Sequence, residues 1–165
     1  MPDNPQPVIE HLKEKKLVGK SKIMSFANNT TFELWRSFMP RRNEIKHKVS
    51  SGLFSLEIFP EHFFDRFNPA AEFEKWAAVE VSTFDAVPDE MEALVVPAGL
   101  YAVFIHKGLP GDGLKTYNYI FQEWLPSSGY AVDNRPHFAL MGEKYDKDSP
   151  DSEEEIWIPV KEKLV

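Results

Sequence analysis

Hydrophobic and polar positions in the second half of the chain predict a strand, a turn and a helix, in that order. Residues 100–106 form an apolar run rich in β-branched and aromatic side chains, which is typical of a buried strand. Glycines and a proline over 108–113 then predict a turn. Beyond it, apolar residues recur at helical spacing, namely Leu114, Tyr117, Ile120, Phe121, Trp124 and Leu125. We therefore predict an amphipathic helix over 114–125 that ends at 126–129.

The first half of the chain repeats this order of elements. Thr30 and Glu33 stand in the register of a capping box, which predicts the start of a first helix. The apolar stripe of that helix is Phe32, Trp35, Phe38 and Met39. Alternation predicts the strands 17–26, 53–59, 74–83 and, as a short strand or linker, 91–96. In the second half it predicts strands near 137–145 and 154–161.

Tryptophans fall at corresponding places in the two halves. Trp35 and Trp124 lie in the predicted helices, whereas Trp76 and Trp157 lie in the last strand of each half. This repetition indicates an internal duplication. We predict an α+β fold of two strand-helix-strand-strand modules with pseudo-twofold symmetry. Antiparallel sheets backed by helices would leave a ligand cleft between the modules, on the uncovered faces of the sheets.

These elements also set the predicted domain bounds. Residues 1–16 contain several prolines and polar side chains, and we expect a flexible N-terminal arm there. Residues 17–163 are predicted to form a single domain. Module one would span about 17–94 and module two about 95–163.

The composition narrows the possible functions. The 165 residues contain no cysteine, which excludes disulfides, thiolate metal sites and cysteine nucleophiles. A net charge of −7 argues against direct nucleic-acid binding. Neither a membrane-length apolar run nor a leader is present, so we expect a cytoplasmic protein without membrane contact. The histidines lack metal-ligand spacing, and Leu114 occupies the position where a phosphate loop requires lysine, so we expect no metal and no cofactor.

The last strand of each half carries the candidate chemistry. Alternation places Glu155 and Trp157 on one face of the final strand, and Glu74, Trp76 and Glu80 on one face of the earlier one. A carboxylate among aromatic rings suits a ligand with a delocalised or quaternary positive charge. The same surroundings would raise the pKa of a glutamate and suit an acid or base. An ordinary exposed glutamate beside a surface tryptophan also accounts for the pattern.

Four segments of the sequence carry a resemblance to a known family. PAGLYAVFIHKG, YIFQEWLPSSGY, RPHFALM and EEIWIPVK resemble the GyrI-like family of small-molecule effector-binding domains, also found as the sensor half of AraC-type and MerR-type regulators. The resemblance implies two modules around an aromatic-lined ligand cleft that contains an acidic residue. It maps that acid onto Glu155, the neighbouring aromatic onto Trp157 and the helix tryptophan onto Trp124. Family members commonly show Phe-Glu-x-Tyr where this chain has Phe-Ala-Leu-Met, at 138–141.

Pattern and resemblance together predict that a lipophilic, aromatic, cationic small molecule binds in the cleft of a multidrug-type sensor or sequestering protein. The predicted ligand-binding residues are Glu155, Trp157, Trp76, Glu80, Trp124, Tyr130 and Phe104.

Two alternatives stay open at this point. One is a hydrolase that detoxifies electrophilic small molecules, with Glu155 as the catalytic acid or base. The other is a protein-interaction module, with a regulator or a gyrase-type protein as its partner. Its contact surface would be the basic region of Arg41, Arg42, Lys46 and Lys48.

Overall fold

The computed structural model describes residues 5–66, 68–109, 113–146 and 148–163. Its strands are β1 (Val8–Leu12), β2 (Lys15–Ser25), β3 (Leu53–Ile58), β4 (Glu72–Val81), β5 (Glu92–Val96), β6 (Gly99–Lys107), β7 (Tyr130–Val132), β8 (His137–Met141) and β9 (Glu153–Glu162). Helix α1 (Thr31–Phe38) continues as a 3₁₀ helix, Met39–Glu44. Helix α2 (Gly113–Tyr119) continues through a π-helical turn, Ile120–Trp124, into the short helix α3 (Leu125–Ser127).

The strands form one nine-stranded antiparallel sheet in the order β1-β6-β9-β8-β3-β4-β2-β5, and β7 pairs with β9 at one end. The halves of the chain meet at the pair β3–β8, where Leu56 lies opposite Phe138. The prediction of an α+β fold with antiparallel strands and two main helices is confirmed. The prediction of two separate sheets is wrong, because β3 and β8 pair directly and make the sheet continuous.

Alternation along the strands gives the sheet two faces, which we call the helix face and the far face. On the helix face, α1 covers Val18, Ala77 and Val79, whereas α2 and its π-helical turn cover Phe104 and Ile156. On the far face, one large cluster spans both halves and includes Leu17, Phe54, Leu56, Trp76, Tyr101 and Phe138. Leu12 and Val96 from the two edge strands join this cluster, so the sheet curves until its edges approach each other.

Several local features differ from the sequence predictions. Val8–Leu12 forms the edge strand β1 on β6 and so is not a flexible arm. Thr30 makes no side-chain cap; the N–H of Thr31 donates instead to Oδ1 of Asn29, at 3.0 Å. Phe32 is 77% exposed and does not belong to the buried stripe of α1. The side chain of Leu114 and part of the predicted turn lie outside the described residues.

None of the helices in the described ranges is long and apolar enough to cross a membrane.

A candidate ligand cavity on the helix face

A cavity of about 840 Å³ lies on the helix face over the central strand pair β3–β8. Its floor includes Glu57 from β3 and His137 from β8, and its walls come from α2, β7 and the segment 59–64. Both halves of the chain therefore line it. The volume falls within the range of cavities that hold small organic ligands.

The walls of the cavity are largely aromatic. Phe64, from the turn after β3, stacks on Phe121 of the π-helical turn with ring centroids 5.2 Å apart and an interplanar angle of 13°. Phe59 and Phe63 pack at 4.7 Å on the same side. Such rings offer a lipophilic lining and electron-rich faces, and both favour aromatic and cationic groups.

A carboxylate lies at the floor among these rings. Glu57 pairs across the sheet with Lys75 on β4, and its Oε1 lies 3.2 Å from Nζ of Lys75. Their side chains are only 17% and 11% exposed, respectively. Burial raises the pKa of the Glu57 carboxyl, and the Lys75 ammonium opposes this shift. Oε2 of Glu57 is buried and has no hydrogen-bond partner among the described residues.

A second carboxylate, that of Glu154 on β9, interacts electrostatically with Glu57, Lys75 and Tyr117. Burial raises the pKa of Glu154, and Glu57 adds to the shift while His106 and Lys75 oppose it. Burial also raises the pKa of the Tyr117 phenol well above its usual range, with further contributions from Glu57 and Glu154. Tyr117 is therefore a neutral wall of the cavity. The two carboxylates lie near the Lys75 ammonium, and a second ammonium group, that of Lys163, lines the cavity and donates to backbone carbonyl oxygens.

His137 completes the floor as a neutral ring. Burial, together with the nearby Arg135, lowers the pKa of His137 to about 3. Its imidazole lies 4.9 Å from the ring of Phe59, 5.4 Å from that of Phe64 and 6.2 Å from that of Phe121. At neutral pH His137 therefore adds no positive charge beside Glu57.

The far face holds the carboxylate and indole pairs that the sequence pattern singled out. Nε1 of Trp157 donates to Glu155 at 2.9 Å, and Nε1 of Trp76 donates to Glu74 at 2.5 Å. Trp76, Leu56, Phe138 and Trp157 form one row across β4, β3, β8 and β9. Trp157 stacks on Phe138 with ring centroids 5.3 Å apart and an interplanar angle of 15°.

The sheet separates the predicted site residues into two groups. Glu155, Trp157, Trp76 and Glu80 belong to the far face, where Glu80 pairs with Lys15 at 3.2 Å. Phe104, Trp124 and Tyr130 pack together on the helix face. Of all seven, Tyr130 is the one that lines the cavity. A single site that holds the whole predicted set is therefore absent from the described residues.

Comparison with known proteins identifies the fold family. The family described as "GyrI-like small molecule binding domain" matches residues 5–161. The chain belongs to the GyrI-like family.

Curated relatives of this GyrI-like chain include a regulator and an inhibitor protein. It is 30% identical over 153 residues to the transcriptional regulator BrlR of Pseudomonas aeruginosa, with 87% of this chain and 51% of BrlR covered. It is 34% identical over 98 residues to a DNA gyrase inhibitor of Erwinia billingiae, with 56% of this chain and 61% of that protein covered. The chain thus spans about half of BrlR and less than two thirds of the inhibitor.

Solved structures agree with this GyrI-like fold. An integron cassette protein of Vibrio cholerae aligns with a TM-score of 0.69 at 14% identity, over 94% of this chain and 96% of that chain. The C-terminal domain of EcmrR aligns with a TM-score of 0.68 at 18% identity, over 96% and 99%. A protein solved with tetraphenylphosphonium aligns with a TM-score of 0.67 at 17% identity, over 94% of both chains. The TM-scores establish a shared fold, and at identities this low the likeness extends to the fold alone.

The GyrI-like resemblance and the cavity point to different glutamates. The resemblance maps the cleft acid onto Glu155, whereas the carboxylate that lines the cavity belongs to Glu57. Ala139, at the position where the resemblance implies a glutamate, pairs with Ser55 of β3, two residues before Glu57. The sequence signal for Glu57 was a charged side chain inside a strand of otherwise apolar and small residues. Sequence reasoning missed that signal, along with His137, Phe59 and Phe121.

The basic region of the protein-partner hypothesis is partly occupied by its own neighbours. Nε of Arg41 lies 2.8 Å from the carboxylate of Glu44, and Nη1 of Arg42 donates to the carbonyl of Met39 at 2.6 Å. Use of this region to contact an acidic partner stays a prediction.

Proposed function

We propose that the cavity on the helix face binds a lipophilic aromatic cation and that Glu57 is its principal acidic contact. The observation that carries the proposal is the presence of the acidic residue Glu57 among the lining residues of a cavity formed mainly by aromatic rings. A carboxylate among aromatic rings suits a lipophilic cation, because charge pairing and cation–π attraction act together. Glu154 adds negative charge nearby, and the neutral His137 does not offset it.

The strand order supports a cavity at the junction of two related modules. Outward from the central pair β3–β8, one side of the sheet continues with β4, β2 and β5, and the other with β9, β6 and β1. The corresponding strands β4 and β9 each carry a tryptophan whose indole N–H donates to a glutamate two residues earlier. We place the pseudo-twofold axis between β3 and β8, beneath the cavity.

The relatives support the same chemistry. One structure with this fold was solved with tetraphenylphosphonium, a lipophilic aromatic cation, and BrlR is named as a transcriptional regulator. The corresponding role for this chain is a cytoplasmic sensor or sequestering protein that returns its ligand unchanged. A regulator or a gyrase-type protein would be the partner that responds to the bound ligand.

The test is a titration of the protein with tetraphenylphosphonium and, as a neutral control of similar shape, with triphenylphosphine oxide. We expect saturable binding of the cation, followed by calorimetry and by tryptophan fluorescence, because Trp124 stacks on Tyr130 at the cavity wall. Glu57→Gln is expected to weaken cation binding about tenfold, which corresponds to roughly 1.4 kcal/mol. The neutral compound should bind both proteins alike.

The matched control is Glu155→Gln, the same substitution on the opposite face of the sheet. We expect it to leave the affinity for the cation unchanged. If Glu155→Gln weakened binding and Glu57→Gln did not, the site would lie on the far face and the proposal would be wrong. Absence of cation binding in the wild-type protein would also overturn it.

Turnover of the ligand distinguishes the hydrolase hypothesis, in which Glu155 is the acid or base, from binding without reaction. In the described structure the Glu155 carboxylate already accepts the indole N–H of Trp157. We expect an aromatic epoxide such as stilbene oxide to be recovered unchanged after incubation with the protein, as measured by chromatography. Formation of a diol that disappears in Glu155→Gln would instead establish the hydrolase.

A further inference from the structure

We infer that His137 gives the cavity a preference for aromatic cations that carry a hydroxyl group on one aromatic ring. This inference rests on the proposed function and specifies the ligand class. Its starting point is the side chain of His137, a residue that is 5% exposed and lines the cavity. Neither of its ring nitrogens has a hydrogen-bond partner among the described residues.

The ring nitrogens of His137 can be reached from the cavity. The fully buried side-chain atoms without a partner in the described residues are Oγ1 of Thr30, Oε2 of Glu57 and Nη1 of Arg135, and the imidazole nitrogens are not among them. Unlike that glutamate oxygen, the nitrogens therefore keep accessible surface, and His137 presents this surface to the cavity that it lines. Buried polar side chains are normally hydrogen-bonded, so an imidazole left open in this position is suited to a ligand.

A hydroxyl group is the complement of a neutral imidazole. Such a ring has one N–H donor and one bare nitrogen acceptor, and a hydroxyl can pair with either of them, whichever nitrogen holds the proton. Burial, with a contribution from Arg135, lowers the pKa of His137 to about 3, so the ring is neutral at pH 7. This recognition therefore does not depend on the balance of charge between the carboxylate of Glu57 and the ammonium groups of Lys75 and Lys163.

The phenylalanine rings around His137 orient an aromatic ligand for this contact. The imidazole is inclined by 20° to the ring of Phe121 and by 32° to that of Phe64, whereas the ring of Phe59 meets it edge-on at 86°. A ligand ring that stacks parallel to Phe121 and Phe64 is therefore roughly parallel to the imidazole as well. Its hydroxyl lies in its own ring plane, as do the hydrogen-bonding directions of the imidazole nitrogens. The ligand class that follows is the hydroxyaryl cation.

The experiment compares two cations that differ in one substituent of similar size. The compound (4-hydroxybenzyl)triphenylphosphonium carries a hydroxyl where (4-methylbenzyl)triphenylphosphonium carries a methyl, and both hold a single positive charge at pH 7. We expect calorimetry to show that the wild-type protein binds the hydroxyl compound at least about threefold more tightly. In His137→Phe this order should reverse, because a hydroxyl buried against phenyl rings without a partner costs free energy and a methyl does not. His11→Phe, at an exposed position of β1, should keep the wild-type ratio of the two dissociation constants.

The other outcomes separate this inference from the proposed function. Equal affinities in the wild-type protein, or tighter binding of the methyl compound, would overturn the hydroxyl preference and leave the proposed function standing. No binding of either compound would overturn both. A hydroxyl preference that persisted in His137→Phe would assign the contact to another group, such as the Tyr117 phenol at the cavity wall, and overturn the inference. If His137→Phe fails to fold by circular dichroism, His137→Leu decides, and the same reversal is expected.

Discussion

Replacing Gly19 with alanine is expected to reduce the free energy of unfolding by about 3 kcal/mol or more. Gly19 lies in β2, where the strand pairs with β4 on one side and β5 on the other. A Cβ atom at this position would lie 2.0 Å from the carbonyl oxygen of Ala77 and 2.6 Å from Cα of Ala78. Both are backbone atoms of a paired strand, so neither can rotate away. The sheet itself would have to open at the junction of β2 and β4.

Urea denaturation followed by circular dichroism measures this effect. Gly142→Ala serves as the matched control, because a Cβ at Gly142 meets no atom within 4 Å. The control is expected to change the free energy of unfolding by less than about 0.5 kcal/mol. Equal effects of the two substitutions would show that β2 and β4 are not in close contact at Gly19.

Acidification is expected to destabilise the protein through His137. Its pKa is lowered to about 3 in the folded protein from an ordinary value of 6.5, so the unfolded chain binds the extra proton between these two values. The stabilising contribution is therefore complete above pH 6.5 and is lost progressively as the pH falls towards 3. Between pH 6.5 and pH 5, the loss amounts to about 2 kcal/mol.

His137→Phe isolates this contribution. A phenyl ring fits among Phe59, Phe64 and Phe121 and cannot be protonated, so the variant should lose about 2 kcal/mol less than the wild type between pH 6.5 and pH 5. The raised pKa of Glu57 acts in the opposite direction in both proteins and cancels in the comparison. His11→Phe, at an exposed position of β1, should keep the wild-type profile. Parallel profiles for wild type and His137→Phe would contradict the prediction.

Period-two alternation was sufficient to predict most of the strands. It also placed Glu155 with Trp157, and Glu74 with Trp76, on common faces, as their hydrogen bonds confirm. It could not predict the pairing of β3 with β8, because this contact joins residues some eighty positions apart and leaves no local mark on the pattern. That pairing is what turns two modules into one sheet. Because of that pairing, elements from both halves of the chain lie over the central strands on the helix face.

The cavity was harder to predict than the fold. Its lining runs from Phe26 to Lys163, and its position depends on how the turn 59–64 meets α2. The repeated indole and carboxylate pattern directed the prediction to the far face, where Trp157 stacks on Phe138 and its indole N–H donates to Glu155. A buried strand that contains a charged residue, such as Glu57 in β3, is a more useful signal for a site than aromatic residues alone.

The π-helical turn Ile120–Trp124 is a position where a change in chain length would alter the cavity wall without altering the sheet. The N–H of Leu125 bonds to the carbonyl of Ile120, five residues earlier, so the turn holds one residue more than an α-helical turn. Deleting one residue there would restore α-helical geometry and rotate the residues before the turn by about 100° relative to those after it. Tyr117 would then leave its place at the cavity wall while the nine strands kept their register. Single-residue length changes in this helix are therefore an evolutionary route to new ligand selectivity on an unchanged sheet.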